Sequence, residues 1–486
     1  MKALGVLIVS VALIPVAARS AHNENGQGFD VRNYGAKCDG AADDSAAIMA
    51  AVSAAGAGQV YIPAATCVAQ IKISTAGESL YIAKGGTLQN PAGSSGYAIT
   101  VAANNVTIEG EGTVDGNKTK LKPVCDASNN CGGVRAVNVS YLTIRDLTFT
   151  NSHHNIFATC TPQMKVLNTK QYSGLGLSGV QVGILSGSAA CGVIEGPVVD
   201  GNLFDTTGAD APTTQYTVQI WGYPMYAVPG PAYRINHSRL TNNTFYKRHG
   251  LDSTELRMGQ NAVVSGNLSY GGTIGISMVE QASATVTGNT SHGPTLECLE
   301  SCDDLDTTFS GNVCYGDNVT QSSVHYTSFY PPGTGPGRNL SVTGDTSTGL
   351  TRAAIWAQDT SGVYLSGINA QCALFSGTAN ACIFLSNVVN FSVTNSLLDG
   401  KSQGVTRGIY VAGASSDGVI SNNTIQNSPA GNGVFIRAGD GQTLDRVTVT
   451  GNVFKNVRYP ISFGQIGNGV IGAKVKASAN VSDTPR

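Results

Sequence analysis

Acidic side chains are concentrated in one short part of this chain. Aspartate and glutamate account for 31 of its 486 residues, yet eight of them fall between positions 252 and 306. Cleavage of a glycosidic bond needs a proton donor and a second carboxylate, about 5–5.5 Å apart for retention and about 6.5–9.5 Å apart for inversion. Neighbouring acids also raise each other's pKa, which keeps one of them protonated near neutral pH. We take the following acids as catalytic candidates, with a Ca²⁺ site or a solvated edge as the alternatives: Asp252, Glu255, Glu280, Glu300 and Asp303.

Asparagines recur at nearly constant intervals through the same region. Asn243, Asn267, Asn289 and Asn312 each follow an apolar residue, a serine or threonine, and a glycine or asparagine, and the steps between them are 24, 22 and 23 residues. A fixed period in this range indicates stacked structural units. Short runs that alternate at period two, such as 284–287, indicate strands. The sequence predicts an all-β fold, a single-stranded right-handed parallel β-helix, with these asparagines stacked at one corner.

The corner asparagines also predict which residues of successive coils lie side by side. Counting back twelve positions from Asn267, Asn289 and Asn312 gives Glu255, Ser277 and Glu300 in turn. Counting back nine positions from Asn289 and Asn312 gives Glu280 and Asp303. Because neighbouring strands lie about 4.8 Å apart, we expect Glu255 and Glu300 on one outer face, roughly 9–10 Å apart. We expect Glu280 and Asp303 roughly 5 Å apart, near an edge of that face.

Basic and aromatic residues near these acids complete the candidate site. A lysine–arginine–histidine run opens the coil of Glu255, and a serine–histidine–glycine run opens the coil of Glu300. Histidine exchanges protons near neutral pH, and flat indole rings present a large apolar face to a sugar. We expect His249 to contribute to catalysis. The expected substrate-binding residues are Lys247, Arg257, His292, Trp221 and Trp356. A local hydrogen bond or a place in the core is their alternative role. We place Trp221 two coils before the acid cluster and Trp356 two coils after it.

A short helical pattern precedes the first strand. Ile48, Ala51, Val52 and Ala55 share one face of the segment 45–55, as in an amphipathic helix. Asp43, Asp44 and Ser45 before it are residue types that cap a helix N-terminus. A helix at this position would cover the open end of a solenoid, so we predict an N-terminal capping helix.

Two segments around this helix carry a family resemblance. Positions 34–48 contain Tyr-Gly-Ala, Asp-Gly, Asp-Asp-Ser and Ile in order, and 60–63 read Val-Tyr-Ile-Pro. This resembles the entry segment of the pectate-lyase superfamily, which includes glycoside hydrolase family 28 and rhamnogalacturonase- and epimerase-like relatives; 111–117 and 141–152 look like its early coils. The resemblance implies the parallel β-helix fold. Of the hydrolases' four catalytic motifs, Asn-Thr-Asp, Gly-His-Gly and Arg-Ile-Lys are not found, and the Asp-Asp at 303–304 is not accompanied by the others. Polygalacturonase activity is therefore not implied.

The N-terminus predicts secretion. One lysine, an apolar stretch of roughly 14 residues and a small-residue cleavage site make 1–20 a secretory signal peptide, too short to span a membrane. The remaining expected divisions are an N-terminal cap segment at 21–59, the β-helix at 60–475 and a C-terminal tail at 476–486. Within the β-helix we expect longer loops near 118–135, 206–215, 222–233 and 328–338.

Eleven cysteines follow this signal, and in a secreted chain they favour disulfides over metal ligands. The odd count leaves one thiol free. The expected pairs are Cys125–Cys131 and Cys372–Cys382 at short range, two of Cys298, Cys302 and Cys314, and Cys38–Cys67 and Cys160–Cys191 at longer range.

These features favour a secreted enzyme, extracellular or periplasmic, that cleaves a polysaccharide by hydrolysis with paired carboxylates. The alternatives are a polysaccharide lyase or uronate epimerase with a lysine, arginine or histidine base, and a non-enzymatic surface adhesin. We expect no cofactor, with Ca²⁺ considered only for a lyase. A net charge of −2 without a basic patch argues against nucleic acid as a partner, and no membrane partner is expected after signal cleavage. The sequence does not define the oligomeric state.

Overall fold

The computed structural model describes a solenoid of short parallel strands. It describes residues 28–117, 132–152, 154–172, 182–185, 191, 193–208, 215–222, 235–247, 252–327, 337–372, 381–401 and 407–483. The predicted signal peptide, the Cys125–Cys131 pair, His249 and most of the four predicted loops lie outside these residues.

Each coil contributes strands to three parallel sheets. Sheet 1 carries the longest strands of the central coils, and its strands β1–β15 are, in chain order, Ile71–Ile73, Tyr97–Val101, Gly132–Val137, His154–Thr159, Val182–Leu185, Gln215–Trp221, Asp252–Arg257, Ile274–Val279, Glu297–Cys302, Ser322–Thr327, Ala353–Ser366, Ala381–Thr394, Arg407–Ala412, Thr424–Ala438 and Val453–Gln465. Every strand in this series pairs in parallel with the next, from β1 to β15. The sheet therefore forms one continuous wall along the solenoid.

Sheets 2 and 3 form the other two walls. Sheet 2 contains Phe29–Asp30, Gln59–Ile62, Ser79–Ile82, Thr107–Gly110, Thr143–Arg145, Lys165–Leu167, Val198–Asp200, Arg239–Thr241, Val263–Ser265, Thr285–Thr287, Thr308–Ser310, Arg338–Thr343, the second halves of β11 and β12, Ser416–Ser421, Thr443–Thr450, Val470–Ile471 and Lys476–Ser478. Sheet 3 contains Asp39–Asp43, Thr66–Val68, Thr87–Gln89, Thr113–Asp115, Thr148–Thr150, Lys170–Tyr172, Leu203–Asp205, Thr244–Tyr246, Leu268–Tyr270, Thr290–His292, Val313–Tyr315, Thr346–Thr348, Asn369–Gln371, Leu397–Asp399, the first halves of β14 and β15, and Val481–Ser482. A small group of three further strands comprises Ile194–Glu195, Ile235–Asn236 and Gly259–Gln260.

The predicted parallel β-helix is confirmed by this arrangement, and its core follows from the alternation of side chains along each strand. Val264, Val286 and Phe309 occupy the central position of three consecutive sheet 2 strands and are fully buried. Burying an aliphatic or aromatic side chain of this size contributes about 1.5–3 kcal/mol. Because every coil adds such residues in register, the core runs the length of the solenoid rather than forming a single cluster.

The predicted asparagine column is present at the corner between sheets 2 and 3. The backbone N–H and the side-chain amide of Asn243 both donate to Oδ1 of Asn267, at 3.0 Å each. Asn267 and Asn289 repeat this pattern one coil further, and Asn312 donates to the carboxylate of Asp345. Each side chain thus satisfies buried backbone groups that a tight corner leaves without a sheet partner.

The capping helix is also present. Helix α1, Ser45–Ala55, buries Ile48, Ala51 and Val52 against the first coils. The Asp44 carboxylate is not its cap, because it accepts the backbone N–H groups of residues 37 and 38 at 2.7 and 3.1 Å. A 3₁₀ helix, Val31–Tyr34, precedes α1.

Four disulfides join cysteines within the described residues: Cys38–Cys67, Cys160–Cys191, Cys298–Cys314 and Cys372–Cys382. Three of these pairs match the expected ones, and the fourth resolves the choice among Cys298, Cys302 and Cys314. Cys302 remains a buried free thiol.

Strands Lys476–Ser478 and Val481–Ser482 pair with the preceding coil, so the solenoid extends beyond the predicted boundary at 475. Over the ranges that the structure describes, no helix has the length and apolar character needed to cross a membrane.

Candidate functional site

Two of the acids that the sequence singled out, Glu255 and Glu300, lie on the outer face of sheet 1. Glu255 pairs with Ser277, and Ser277 pairs with Glu300, which is the register that the corner asparagines predicted. The column then continues through His325 and Trp356 on β10 and β11. Since β7 and β9 are separated by one strand, Glu255 and Glu300 are spaced by roughly 9–10 Å along the sheet. We call the column 255–277–300–325–356 the outer column.

Glu300 lies in an environment that favours its protonated form. Burial raises the pKa of its carboxyl, and the nearby charge of Glu297 raises the same pKa further. The Ser277 hydroxyl donates to Glu300 Oε2 at 2.5 Å and opposes this rise. The free thiol of Cys302 lies 3.9 Å from the other carboxyl oxygen. Glu300 therefore combines a raised pKa with a position on the outer face, the two properties that a general acid needs.

Glu255 has the opposite electrostatic environment. Its side chain is 3% exposed, and its carboxylate forms an ion pair with the guanidinium of Arg257. That guanidinium also lies over the ring of Trp221, 4.4 Å from its centroid. The column therefore holds one carboxyl with a raised pKa, that of Glu300, and one carboxylate paired with a guanidinium, that of Glu255.

Trp221 is closer to the acids than the sequence suggested. We expected it two coils before the acid cluster, but β6 pairs directly with β7, and Trp221 pairs with Arg257. The inserted residues 223–234 lengthen this coil, and counting residues therefore overestimated the separation. Trp356 stands where it was expected, two coils after Glu300.

Glu280 and Asp303 occupy the same turn position of consecutive coils, at the end of β8 and β9. Both have left-handed backbone angles, with φ of 49° and 54°, and both are buried. The backbone N–H of Glu280 donates to the carbonyl of residue 302 at 2.8 Å. They therefore stack at the edge of the face that bears the outer column, as predicted.

Asp304, which follows Asp303, is fully buried. Burial raises its pKa to about 8. Ser301 Oγ donates to Oδ2 at 2.6 Å, and the backbone N–H of Gln281 donates to Oδ1 at 2.8 Å. These contacts tie the turn of one coil to the next.

Lys247 and His292 lie away from the positions that the sequence predicted for them. Lys247 is buried, and its ammonium donates to the carbonyl oxygens of Ile274 and Gly275 at 3.1 and 2.5 Å. His292 lies on sheet 3, stacked between Tyr270 and Tyr315 with ring centroids 4.8 and 4.6 Å away. Lys247 directly follows a sheet 3 strand and His292 ends one, so proximity in sequence did not place either residue beside the outer column.

The side chains of Asp252 and His249 lie outside the described residues, although Asp252 begins β7. Sequence reasoning missed His325. Its spacing gave no signal, because twenty residues separate it from the corner residue Asp345 where twelve separate Glu300 from Asn312.

His325 opens a run of aromatic rings on sheet 1. The rings of His325, Trp356 and Phe384 follow one another at 5.3 Å between centroids. Tyr410 and Phe435 extend the run at 5.2 and 5.1 Å. Arg352 lies 3.2 Å from the Trp356 centroid and Arg407 lies 4.8 Å from that of Tyr410. The wall that carries the acids thus continues as an aromatic and cationic surface.

Within the described ranges, one group of three side chains has donor atoms close enough together for a metal ion: Cys38, Asp44 and Cys67. The two sulfurs of this group form a disulfide, which removes them as thiolate ligands. The group therefore does not have the chemistry of a metal centre.

The three parallel sheets, the capping helix and the polar corner column together define a right-handed parallel β-helix. The active-site candidates of this chain are the acids on the outer face of its sheet 1.

Solved structures with similar folds come from proteins of several kinds. The tailspike protein of E. coli bacteriophage HK620, solved in complex with a pentasaccharide, aligns with a TM-score of 0.55 and 12% identity over 90% of this chain and 77% of its own. The surface adhesin PfbA of Streptococcus pneumoniae aligns with a TM-score of 0.51 and 16% identity over 84% of this chain and 91% of its own. Identities this low establish a common fold alone. No protein-family model matches the chain, and no curated protein matches its sequence.

Proposed function

We propose that this protein is a carbohydrate-active enzyme that cleaves glycosidic bonds of a polysaccharide by hydrolysis. The observation that carries this proposal is the pairing of Glu300 and Glu255 on one outer column in opposite environments. Burial raises the pKa of Glu300, whereas Arg257 holds Glu255 in an ion pair. In this proposal Glu300 protonates the leaving oxygen and Glu255 takes a proton from the attacking water. Their strands lie roughly 9–10 Å apart, nearer to the carboxyl separation of about 6.5–9.5 Å used for inversion than to the 5–5.5 Å used for retention, so the proposal includes inversion.

The positions of the basic residues do not favour the lyase alternative. A lyase at this site requires a base and a cation facing a uronate. Lys247 instead directs its ammonium at two backbone carbonyls, and Arg257 is engaged by Glu255 and Trp221. The proposal therefore assigns the reaction to the two carboxylates.

We extend the proposal to the place of action. Four disulfides among the described residues are typical of proteins that fold in an oxidising compartment. A secreted enzyme acting on an extracellular or periplasmic polysaccharide accounts for them, and for the signal peptide predicted at 1–20.

A panel of purified polysaccharides tests the proposal. Incubation with the wild-type protein is followed by measurement of new reducing ends, of the ultraviolet absorbance of unsaturated uronides, and of activity after chelation with EDTA. Hydrolysis gives reducing ends without that absorbance and tolerates EDTA. Unsaturated products that vanish with EDTA would establish a Ca²⁺-dependent lyase, and binding without cleavage of any polymer would establish an adhesin.

A further inference from the structure

His325 forms a carboxylate–imidazole pair next to the proposed proton donor. Its Nδ1 lies 3.2 Å from Oε1 of Glu297, and Glu297 is buried. The pair connects adjacent strands, because Glu297 begins β9 and His325 lies on β10. His325 directly follows Glu300 in the outer column, which places the imidazole about 4.8 Å along the sheet from the donor.

The second ring nitrogen of His325, Nε2, is buried and has no hydrogen-bond partner among the residues that the structure describes. A buried polar atom without a partner costs roughly 1–3 kcal/mol, so it is retained where it serves another purpose. In the tautomer that carries its proton on Nδ1, His325 donates to the carboxylate of Glu297 and the lone pair lies on Nε2. In that tautomer Nε2 is a hydrogen-bond acceptor.

A second carboxylate–imidazole pair elsewhere in the molecule provides a comparison. His237 Nδ1 lies 3.1 Å from Oε2 of Glu195, on the small three-stranded group. Both side chains of that pair are exposed, at 63% and 45%. Its Nε2 lies 3.4 Å from the side-chain amide of Asn261. The two pairs share their chemistry and differ in whether Nε2 is buried and already contacted.

We propose that His325, oriented by Glu297, forms a sugar-binding subsite one coil beyond Glu300, where Nε2 accepts a hydrogen bond from a free hydroxyl group of a glycosyl unit. The inference rests on the proposed function, since it assumes that the outer column binds a polysaccharide. Trp356 packs against the other side of the imidazole, with ring centroids 5.3 Å apart, and limits its rotation. The subsite selects units whose hydroxyl at this point is unsubstituted, and an O-acetyl or O-methyl group there excludes the unit.

The first test measures the tautomer of His325 without any ligand. Protein labelled with ¹⁵N-histidine is studied by long-range ¹H–¹⁵N correlation at pH 8, and H325F identifies the signals. We expect Nδ1 to carry the proton in the wild type. We expect E297Q to give a mixture of tautomers, because an amide can either donate or accept. A wild-type imidazole protonated at Nε2 would overturn the proposal.

The second test measures binding in a protein that cannot complete cleavage. E300Q is applied to an array of glycans printed before and after mild alkaline removal of O-acetyl groups, and binding of the best oligosaccharide is measured by calorimetry. We expect H325F in the E300Q background to weaken binding roughly 5- to 100-fold. H237F in the same background is the matched control and should leave affinity unchanged. O-acetylated forms of the bound glycans should bind less tightly than their deacetylated forms.

Equal affinity of E300Q with and without H325F would overturn the subsite, and so would the absence of glycan binding by folded E300Q. Neither result depends on catalysis, because cleavage by the wild type is measured separately. If H325F does not fold, E297Q in the E300Q background replaces it, and unchanged affinity with a changed tautomer contradicts the proposal.

Discussion

Substitution of Glu255 or Glu300 tests the proposed roles of these two residues in catalysis. Replacing either glutamate by glutamine preserves shape and hydrogen bonding but removes the titratable group. We expect E300Q and E255Q each to lower kcat about 10²- to 10⁴-fold, because general acid and base catalysis contribute factors of this size. The control is E111Q, a glutamate whose side chain is 62% exposed. Near-wild-type turnover by both folded variants would refute the assignment.

Ser277 tunes the proposed donor. Its hydroxyl donates to Glu300 and lowers the pKa of that carboxyl against the effect of burial. A general acid is active below its pKa, so a higher pKa moves the alkaline limb of the rate profile upward. We expect S277A to shift the alkaline limb of kcat to higher pH. A limb that stays in place or moves to lower pH would show that this hydrogen bond does not control the donor.

The register of the acids could be read from the sequence, and the continuation of the column could not. Twelve residues separate Glu300 from its corner asparagine, and twelve also separate Trp356 from the corner residue Ile368. Isoleucine has no side-chain amide with which to continue the column of corner asparagines. The coil of Trp356 therefore had no corner asparagine from which its register could be counted. In the coil of His325 an insertion lengthens the same interval to twenty residues. Side-chain partners such as Glu297 also depend on rotamers, which sequence spacing does not define.

At the scale of single elements, the corner column ends in an acid. Asp345 is 2% exposed and accepts the backbone N–H of Asn312 at 2.8 Å. Burial raises the pKa of Asp345 to about 7 from an ordinary value of 3.8. The folded state therefore retains a proton that the unfolded state loses, and stability contributed by this group falls as pH rises from about 4 to about 7.

We expect D345N to remove this pH dependence, because asparagine is neutral and fits the column. Relative to the wild type, the variant should gain little at pH 4 and up to about 4 kcal/mol of unfolding free energy at pH 8. Urea unfolding at pH 4, 6 and 8 measures the difference, and D317N, at an exposed turn position, is the control. A gain that is the same at all three values would rule out titration of Asp345 as the cause.

At the scale of the whole molecule, stability is distributed coil by coil. In a solenoid each coil contacts mainly its neighbours, so a destabilising substitution in one coil unfolds mainly the segment around that coil. The Cys38–Cys67 disulfide ties the segment before α1 to sheet 3. A disulfide of this loop length contributes about 2–4 kcal/mol. The fold class was predictable because the same sequence pattern recurs in coil after coil. The conformations of the inserted loops were not predictable, because these loops interrupt the repeat.

We expect the double variant C38A/C67A to accelerate amide hydrogen exchange in 28–73 and to leave β7–β10 unchanged. C372A/C382A, at a distant coil, should instead accelerate exchange around 366–400. Mass-resolved exchange of both variants makes the comparison, and faster exchange along the entire solenoid in either one would indicate a single cooperative unit.

The two guanidinium–indole contacts give the protein a built-in optical signal. The chain has two tryptophans, and each lies under an arginine: Trp221 under Arg257, which ends β7, and Trp356 under Arg352, which directly precedes β11. Indole emission responds to the charge and polarity at its face. A ligand that displaces either arginine therefore changes the fluorescence of one identifiable ring. W221F and W356F would separate the two signals and report, without any label, which end of the outer column is occupied first.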